Sequence, residues 1–367
     1  MAVKKIGFTA LDTSVSQSLG TRNRIINGVM QVNQRNSANV SANGYTVDRW
    51  KFATTNTALG GAVNYGNTTN IGLSGGVLAF STTTAGSSLN ANDNINICQS
   101  IEGLNVADLM WGTQWASPVT LSFWVRASTS GSGSGNYSGA IQNNDKTLSY
   151  VFTFNIPTAS YWTYVKITIP GPTYGTWTKD NTAGMHVVFN LGAGSTFTST
   201  VNNAWDWGNF TTTSAVTVQT IANASYGSYS ITQVQLEKGS VATPFEWRSY
   251  NTELALCQRY CYAVSHTSTT GHLAPFFAVS STTGHAVIPL PVQPRVPPTG
   301  IVSNSNWYMN NAGPGNAGSG ALAFLGADSS GVSVQLSAGT GMTAGYAGWL
   351  YASAGNTATL YTSGSEL

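Results

Sequence analysis

The sequence is short of charge. Only 8% of its 367 residues are Asp, Glu, Lys or Arg, against ~25% in an ordinary soluble domain. The two signs nearly cancel, leaving a formal net charge of +2. A nucleic-acid partner is therefore not expected, because such binding needs a concentrated basic surface. Cysteine is scarce as well: Cys98, Cys257 and Cys261 are the whole supply. Three thiols make no disulfide framework, so reduced, buried side chains are expected. Long apolar runs are missing, and none approaches the ~20 residues of a membrane-crossing helix. The opening Met1-Ala2-Val3-Lys4-Lys5-Ile6-Gly7-Phe8-Thr9 has no apolar stretch adequate for a secretory leader. No internal repeat is visible.

What the chain does have is a large supply of apolar and small polar residues. Hydrophobic residues make up 41% and aromatics 11%, with 11 Trp, 16 Tyr and 40 Gly. Such a chain can build a core, so general disorder is excluded. Its surface must be neutral, made of hydroxyls, amides and glycine, as on extracellular adhesins and virion proteins.

Hydrophobic periodicity is overwhelmingly two. Val119, Leu121, Phe123 and Val125 share a face, as do Val165, Ile167 and Ile169. Leu148, Tyr150, Phe152 and Phe154 form another such face, and Met185, Val187, Phe189 and Leu191 a fourth. Alternation of this kind marks half-buried strands. Several of them between Gly, Pro and Asn breaks predict an antiparallel jelly-roll sandwich. The low-complexity stretch 128–139 is expected to be a hairpin tip.

One segment departs from this pattern. Residues 251–262 read as a short helix, capped by Asn251 or Thr252, with Glu253 in its first turn. Leu254, Cys257 and Cys261 fall on one stripe. A helix this short must pack on something. It lies either on a sandwich edge or against its own copies at a symmetry axis, and the axis is the expectation taken forward. The proline-dense run 288–299 is expected to be an extended crossing segment, not a central strand. Short strands at 321–325, 332–336 and 346–352 then make a smaller C-terminal β domain.

No catalytic or metal signature appears. His186 falls on the polar phase of its strand, while His266, His272 and His285 show no ligand spacing. Asp48, Asp206, Glu237 and Glu246 are the carboxylates worth considering, and each has a structural reading; Asp48-Arg49 looks like a turn or a buried pair. No metal, no cofactor and no enzymatic activity are expected. The aromatics are more informative. Trp111 and Trp115 lie in LMWGTQWAS, and Trp205 and Trp207 flank Asp206 in NNAWDWGNF. Sugar rings stack on such faces while Asp and Asn read hydroxyls, which makes these five residues candidates for glycan binding. The alternative is that the tryptophans plug the ends of the sandwich.

Several phrases together resemble the tail-fibre and minor structural proteins of tailed bacteriophages. The first is Asn23-Arg24-Ile25-Ile26-Asn27-Gly28, followed by Gln34-Arg35 and Tyr45-Thr46-Val47-Asp48-Arg49-Trp50. Gln99-Ser100-Ile101-Glu102 and Leu121-Ser122-Phe123-Trp124-Val125-Arg126-Ala127 are similar to the family's middle strands. Trp162 to Pro170 with Gly171-Pro172-Thr173 matches as well. So do Val234-Gln235-Leu236-Glu237-Lys238-Gly239 with Thr243-Pro244-Phe245-Glu246, then Glu253 to Tyr260, and the closing Ser365-Glu366-Leu367.

The resemblance implies a lectin-like β-sandwich, a short helix and a terminal β domain, assembled as a homotrimer on a virion. It carries no catalytic residue across. The expected division is an anchor segment 1–22 that meets other virion proteins, a sandwich at 23–246, a connecting helix at 247–262 and a β domain at 263–367. Leu254, Cys257 and Cys261 would line the trimer axis. Two functions follow. One is a non-enzymatic fibre or spike that recognises host surface polysaccharide, acting outside the cell without inserting into a membrane. The other is a capsid-decoration or tail-adaptor protein that binds no receptor.

Overall fold

The computed structural model describes residues 22–36, 39–55, 61–67, 75–82, 88–129, 133–267, 272–311, 318–337, 342–352 and 356–367. The expected anchor segment 1–22 lies outside them apart from Arg22. The chain forms two compact units. The first comprises Met1–Met30, Val40–Gly44 and Phe52–Trp247, and the second Gln31–Asn39, Tyr45–Lys51 and Arg248–Leu367. The expected sandwich boundaries differ in two pieces, 31–39 and 45–51, which belong to the second unit. The reason is electrostatic: Arg35, Asp48 and Arg49 are held there by buried ion pairs.

The first unit is the expected jelly-roll sandwich. Its six-stranded sheet includes, in order, Gly61–Asn67, Gly76–Thr82, Ser228–Lys238, Val119–Ser128 and Thr163–Ile169. Its seven-stranded sheet includes Ala204–Trp207, Leu148–Ile156, Gly135–Asn143, Ala183–Ala193 and Asn94–Glu102. These pairings are antiparallel. The predicted inward phase is the observed one, with Val119, Leu121, Phe123 and Val125 fully buried. Phe123 reaches across from one sheet and meets Phe154 and Phe189 of the other edge-on, at centroid distances of 5.2 and 5.0 Å. Each such buried ring contributes roughly 1.5–3 kcal/mol by burial alone. The stretch 128–139 is not a hairpin tip. Val119–Ser128 and Gly135–Asn143 belong to different sheets, so it carries the chain from one layer to the other.

Ser228–Lys238 contains a bulge that decides which side chains face out. Ile231 pairs with Val125 and Leu236 with Leu121, so five steps on one strand oppose four on the other. The extra residue resets the phase, allowing Ile231, Val234 and Leu236 all to point into the core. Gln233 absorbs the change with a left-handed backbone, φ +50°.

The second unit has a seven-stranded sheet and a three-stranded one. Phe276, Ile288, Trp307, Met309, Val334 and Leu350 are among its core residues. The strands Leu322–Ala327, Gly331–Ser337 and Ala347–Ala352 lie close to their predicted places. Ile288 and Pro289, expected in the crossing segment, instead finish the interior strand Thr283–Pro289. A proline is tolerated at that terminal position.

Helix α1 spans Tyr250–Gln258 and is capped by Ser249, whose Oγ accepts from the Thr252 amide at 3.3 Å. Its buried face is Glu253, Cys257 and then Cys261, while Leu254 is half-buried. The expected trimer stripe of Leu254, Cys257 and Cys261 is therefore corrected. Both thiols are enclosed by their own chain, which leaves neither available to line an axis. Burial pushes the Cys261 thiol up to about 12 and that of Cys257 well above its ordinary value. Cys98, in the first unit, is half-buried, not buried as expected.

A network of ions closes the second unit. The Asp48 carboxylate accepts from the Gln34 amide at 2.6 Å and its side chain at 2.9 Å, and lies 3.6 Å from Arg35. Burial nevertheless holds the Asp48 carboxyl above the usual carboxylate range. Glu366 accepts from Arg35 at 2.6 Å and also from Arg49. The Arg49 guanidinium sits 3.5 Å from the centre of the Tyr260 ring. Arg295 donates to the carbonyls of Ser365 and Glu366, both at 2.9 Å. Asp48 and Arg49 are thus buried, yet each is paired elsewhere. Among the described residues no helix is long and apolar enough to cross a membrane.

Candidate functional site

The structure separates the five aromatic-loop candidates. Trp111 is only 3% exposed, and its indole N–H donates to the Ser117 carbonyl at 2.7 Å. It packs edge-on against Trp177 and Trp205, at 4.7 and 5.5 Å. No face is left for a sugar, so Trp111 is corrected to a core residue. Trp205 is half-buried, edge-on to Tyr150 as well, with its N–H on the Pro170 carbonyl at 2.8 Å. Period-two alternation puts Asp206 on the opposite side of the strand from Trp205 and Trp207. There it accepts from Ser199 Oγ at 2.6 Å, so it shares no pocket with the tryptophans. Trp207 and Trp115 are exposed, at 61% and 66%. Trp207 lies beside Tyr174, with centroids 5.7 Å apart. These two present exposed aromatic surface.

The other candidates are tied down. Glu246 accepts from the amides of Arg22 and Asn23, at 3.1 and 2.8 Å. His186 lies between Ser100 Oγ at 2.8 Å and the Asn144 carbonyl at 3.2 Å. His272 stacks on Trp349, and His285 meets Gln335. Among the described residues no three His, Cys, Asp or Glu side chains converge.

A better site lies on the outer face of the six-stranded sheet. The inward run from Val119 to Val125 leaves Ser122, Trp124 and Arg126 facing out. The neighbouring edge strand leaves Tyr164 and Lys166 facing out, with Tyr164 paired to Trp124 and Lys166 to Ser122. The two aromatic rings lie 5.4 Å apart, tilted by 43°. On the other side of Ser122 comes the bulged strand, whose phase shift turns Gln235 and Glu237 outward.

Those two residues pin the chain that follows. Glu237 accepts from the Thr243 amide at 2.8 Å and its hydroxyl at 2.6 Å, with Arg22 at 3.5 Å as counter-ion. Gln235 accepts from the Glu246 amide at 2.8 Å. The pinned segment Ala242, Thr243, Pro244 and Phe245 becomes a wall. With Ser122, Trp124, Tyr164, Lys166 and Gln233 it encloses a cavity of about 390 Å³. Gln233 is 7% exposed, and its amide nitrogen has no hydrogen-bond partner. A buried amide without a partner costs roughly 1–3 kcal/mol, and a left-handed non-glycine residue about 1–2 kcal/mol. Both penalties fall on one side chain lining one pocket, as at sites where strain serves binding.

No family model matches the chain, and no curated protein matches it. Solved structures do. One is the enzymatically active domain of tailspike protein 4 of bacteriophage CBA120, 15% identical, with a TM-score of 0.33. That match covers 59% of this chain and 21% of the tailspike chain, so this chain spans about a fifth of it. Another is TmCBM61 in complex with β-1,4-galactotriose, 8% identical over 59% of this chain and 99% of that one, TM-score 0.30. A third is a family 11 carbohydrate-binding module from Clostridium thermocellum, 13% identical over 53% and 91%, TM-score 0.26. Likeness this distant leaves function to be argued from the residues themselves.

The residues of the outer-face pocket were absent from the sequence-based candidates. Their signal was the strand phase: a strand whose odd positions are buried must turn Trp124 to its outer face. The second unit has a groove of about 530 Å³ lined by Pro275, Phe277, Val287 and Leu325. Its polar lining is limited to His285 and Ser333, so it offers little to orient a polar ligand.

Proposed function

We propose that this chain is a glycan-binding fibre or spike protein of a tailed-phage virion, a homotrimer without catalytic chemistry of its own. One observation carries the binding role. Trp124 and Tyr164 form a tilted aromatic shelf inside a pocket also lined by Ser122, Lys166 and Gln233. A pyranose can lay its C–H face on the shelf while a ring oxygen or hydroxyl accepts from the Lys166 ammonium. The cavity volume is within the ~300–1,000 Å³ range of small-ligand sites. The virion and trimer parts rest on the resemblance of the sequence phrases and on the neutral, hydroxyl-rich surface. Threefold presentation would raise weak single-site binding by about 10²–10⁴.

The test is retention on immobilised bacterial surface polysaccharides and on whole cells. Trp124→Ala combined with Tyr164→Ala should lower retention at least tenfold while melting stays within a few degrees. Undiminished retention would remove the site. Light scattering should give a mass near three chains. A monomer that binds no cell would overturn the reading in favour of a decoration or adaptor protein.

A further inference from the structure

The charge around this pocket has a single sign. Lys166 lines it directly. Arg126 lies on the same face of the same strand as Trp124, two residues further on, where it pairs with Ser230. Among the described residues neither Lys166 nor Arg126 has an ion-pair partner. Of the two carboxylates nearby, Glu237 is buried, committed to Thr243 and neutralised by Arg22, and Glu246 accepts from the amides of Arg22 and Asn23. None of the residues lining the pocket is acidic. In a chain with so few charges, two uncompensated cations flanking one aromatic pair need an explanation.

Sheet geometry gives their spacing. Lys166 is level with Ser122, and Arg126 lies four residues along that strand. At ~3.4 Å per residue and ~4.8 Å between strands, their Cα atoms are about 14 Å apart, with the Trp124–Tyr164 row between them. That is a stripe long enough to meet more than one sugar unit of a polymer. Cation, aromatic shelf and second cation suit a sugar chain with acceptor-rich, negatively charged substituents.

Resting on the glycan-binding reading above, the geometry points to an acidic polysaccharide as the ligand. Its carboxylates meet Lys166 and Arg126, and a sugar ring between them lies on Trp124 and Tyr164. The chain crosses the outer face of the sheet along the strand direction. Neutral polymers lack the groups that the two cations would pair with.

The experiment uses the full-length protein and a panel of immobilised polymers: polygalacturonate, hyaluronan, alginate and polysialic acid, with dextran and galactan as neutral members. Each acidic polymer is paired with a copy whose carboxylates have been reduced to alcohols. The expected result is retention on one or more acidic members, lowered at least tenfold by carboxyl reduction. It should also weaken as salt is raised from about 20 to 500 mM, as the Debye length shrinks from roughly 20 Å towards 4 Å. Lys166→Gln and Arg126→Gln should each cut retention several-fold with unchanged melting, because both side chains reach solvent. Equal binding to acidic and carboxyl-reduced copies, or retention on dextran or galactan alone, would overturn the acidic assignment and leave glycan binding standing. Retention on no member would overturn both.

Discussion

Removing the Glu366 carboxylate should open the second unit selectively. In the native fold Glu366 is the shared acceptor of Arg35 and Arg49, all three largely buried. Arg35 keeps Asp48 when Glu366 is lost. Arg49, the more deeply buried of the two arginines, loses a carboxylate acceptor that the neighbouring Tyr260 ring cannot replace. Breaking a buried pair by removing one partner costs about 3–5 kcal/mol, because the remaining charge stays out of water. The unit carries its own reporters of opening, Cys257 and Cys261, both enclosed. When a thiol reacts only through opening, its labelling rate follows the opening equilibrium. A loss of 3–5 kcal/mol then speeds labelling by roughly 150- to 5,000-fold. Glu366→Ala should show this acceleration at Cys257 and Cys261. Cys98, in the sandwich, should label at its original rate and serves as the internal control. Glu366→Gln, which keeps a carbonyl acceptor but not the charge, should fall between the two. An acceleration below about tenfold for Glu366→Ala would refute the claim that this carboxylate holds the buried arginines in place.

Three further outcomes are expected. Gln233→Gly should raise stability by about 1–2 kcal/mol in urea titration, because glycine adopts the left-handed backbone freely and removes the unpartnered amide; a loss of stability would contradict the strain argument. Trp111→Ala should destabilise the sandwich by roughly 3–5 kcal/mol, whereas Trp115→Ala should stay within about 0.5 kcal/mol; equal effects in thermal melts would show the burial assignment to be wrong. The Cys261 thiol, raised in the fold to about 12, makes the second unit sensitive to base. Its folded pKa lies above the unfolded value of ~8.5, so its contribution is complete below pH ~8.5 and is lost as pH rises towards 12. Stability of that unit should fall over this window, and Cys261→Ser should flatten the fall.

The strands were legible because their alternation is strict and their inner faces are aliphatic or aromatic throughout. The jelly roll followed from that pattern alone. The helix was legible as an element but not in its orientation. Leu254, Cys257 and Cys261 make a plausible stripe, yet the buried face runs through Glu253, because Arg248 lies 3.4 Å away and offsets its charge. Periodicity ranks residues by apolarity and cannot anticipate a buried ion pair. The tryptophan loops misled for a related reason. Trp111 and Trp115 are four residues apart in an irregular loop, where no period tells inside from outside. The division into units was hidden because Arg35, Asp48 and Arg49 find their partners more than 300 residues away in sequence, at Glu366, or in each other's neighbourhood. The pocket itself was half-written in the strand phase of Trp124, Tyr164 and Lys166. Its other half was not, because it depends on a one-residue insertion that alternation alone does not reveal.

That insertion has a consequence for how such a protein can change. Gln233 keeps the apolar side chains of its strand in the core and at the same time lines the pocket. Deleting the residue would turn Gln235 and Glu237 inward, release the 242–245 wall and dismantle the binding surface in a single step. Lys166, Arg126, Trp124 and Tyr164 carry no such double duty. Variation in the pocket is therefore expected to accumulate at these four positions, with the length of the bulged strand held constant, so that its chemistry drifts on a frame that cannot lose a residue.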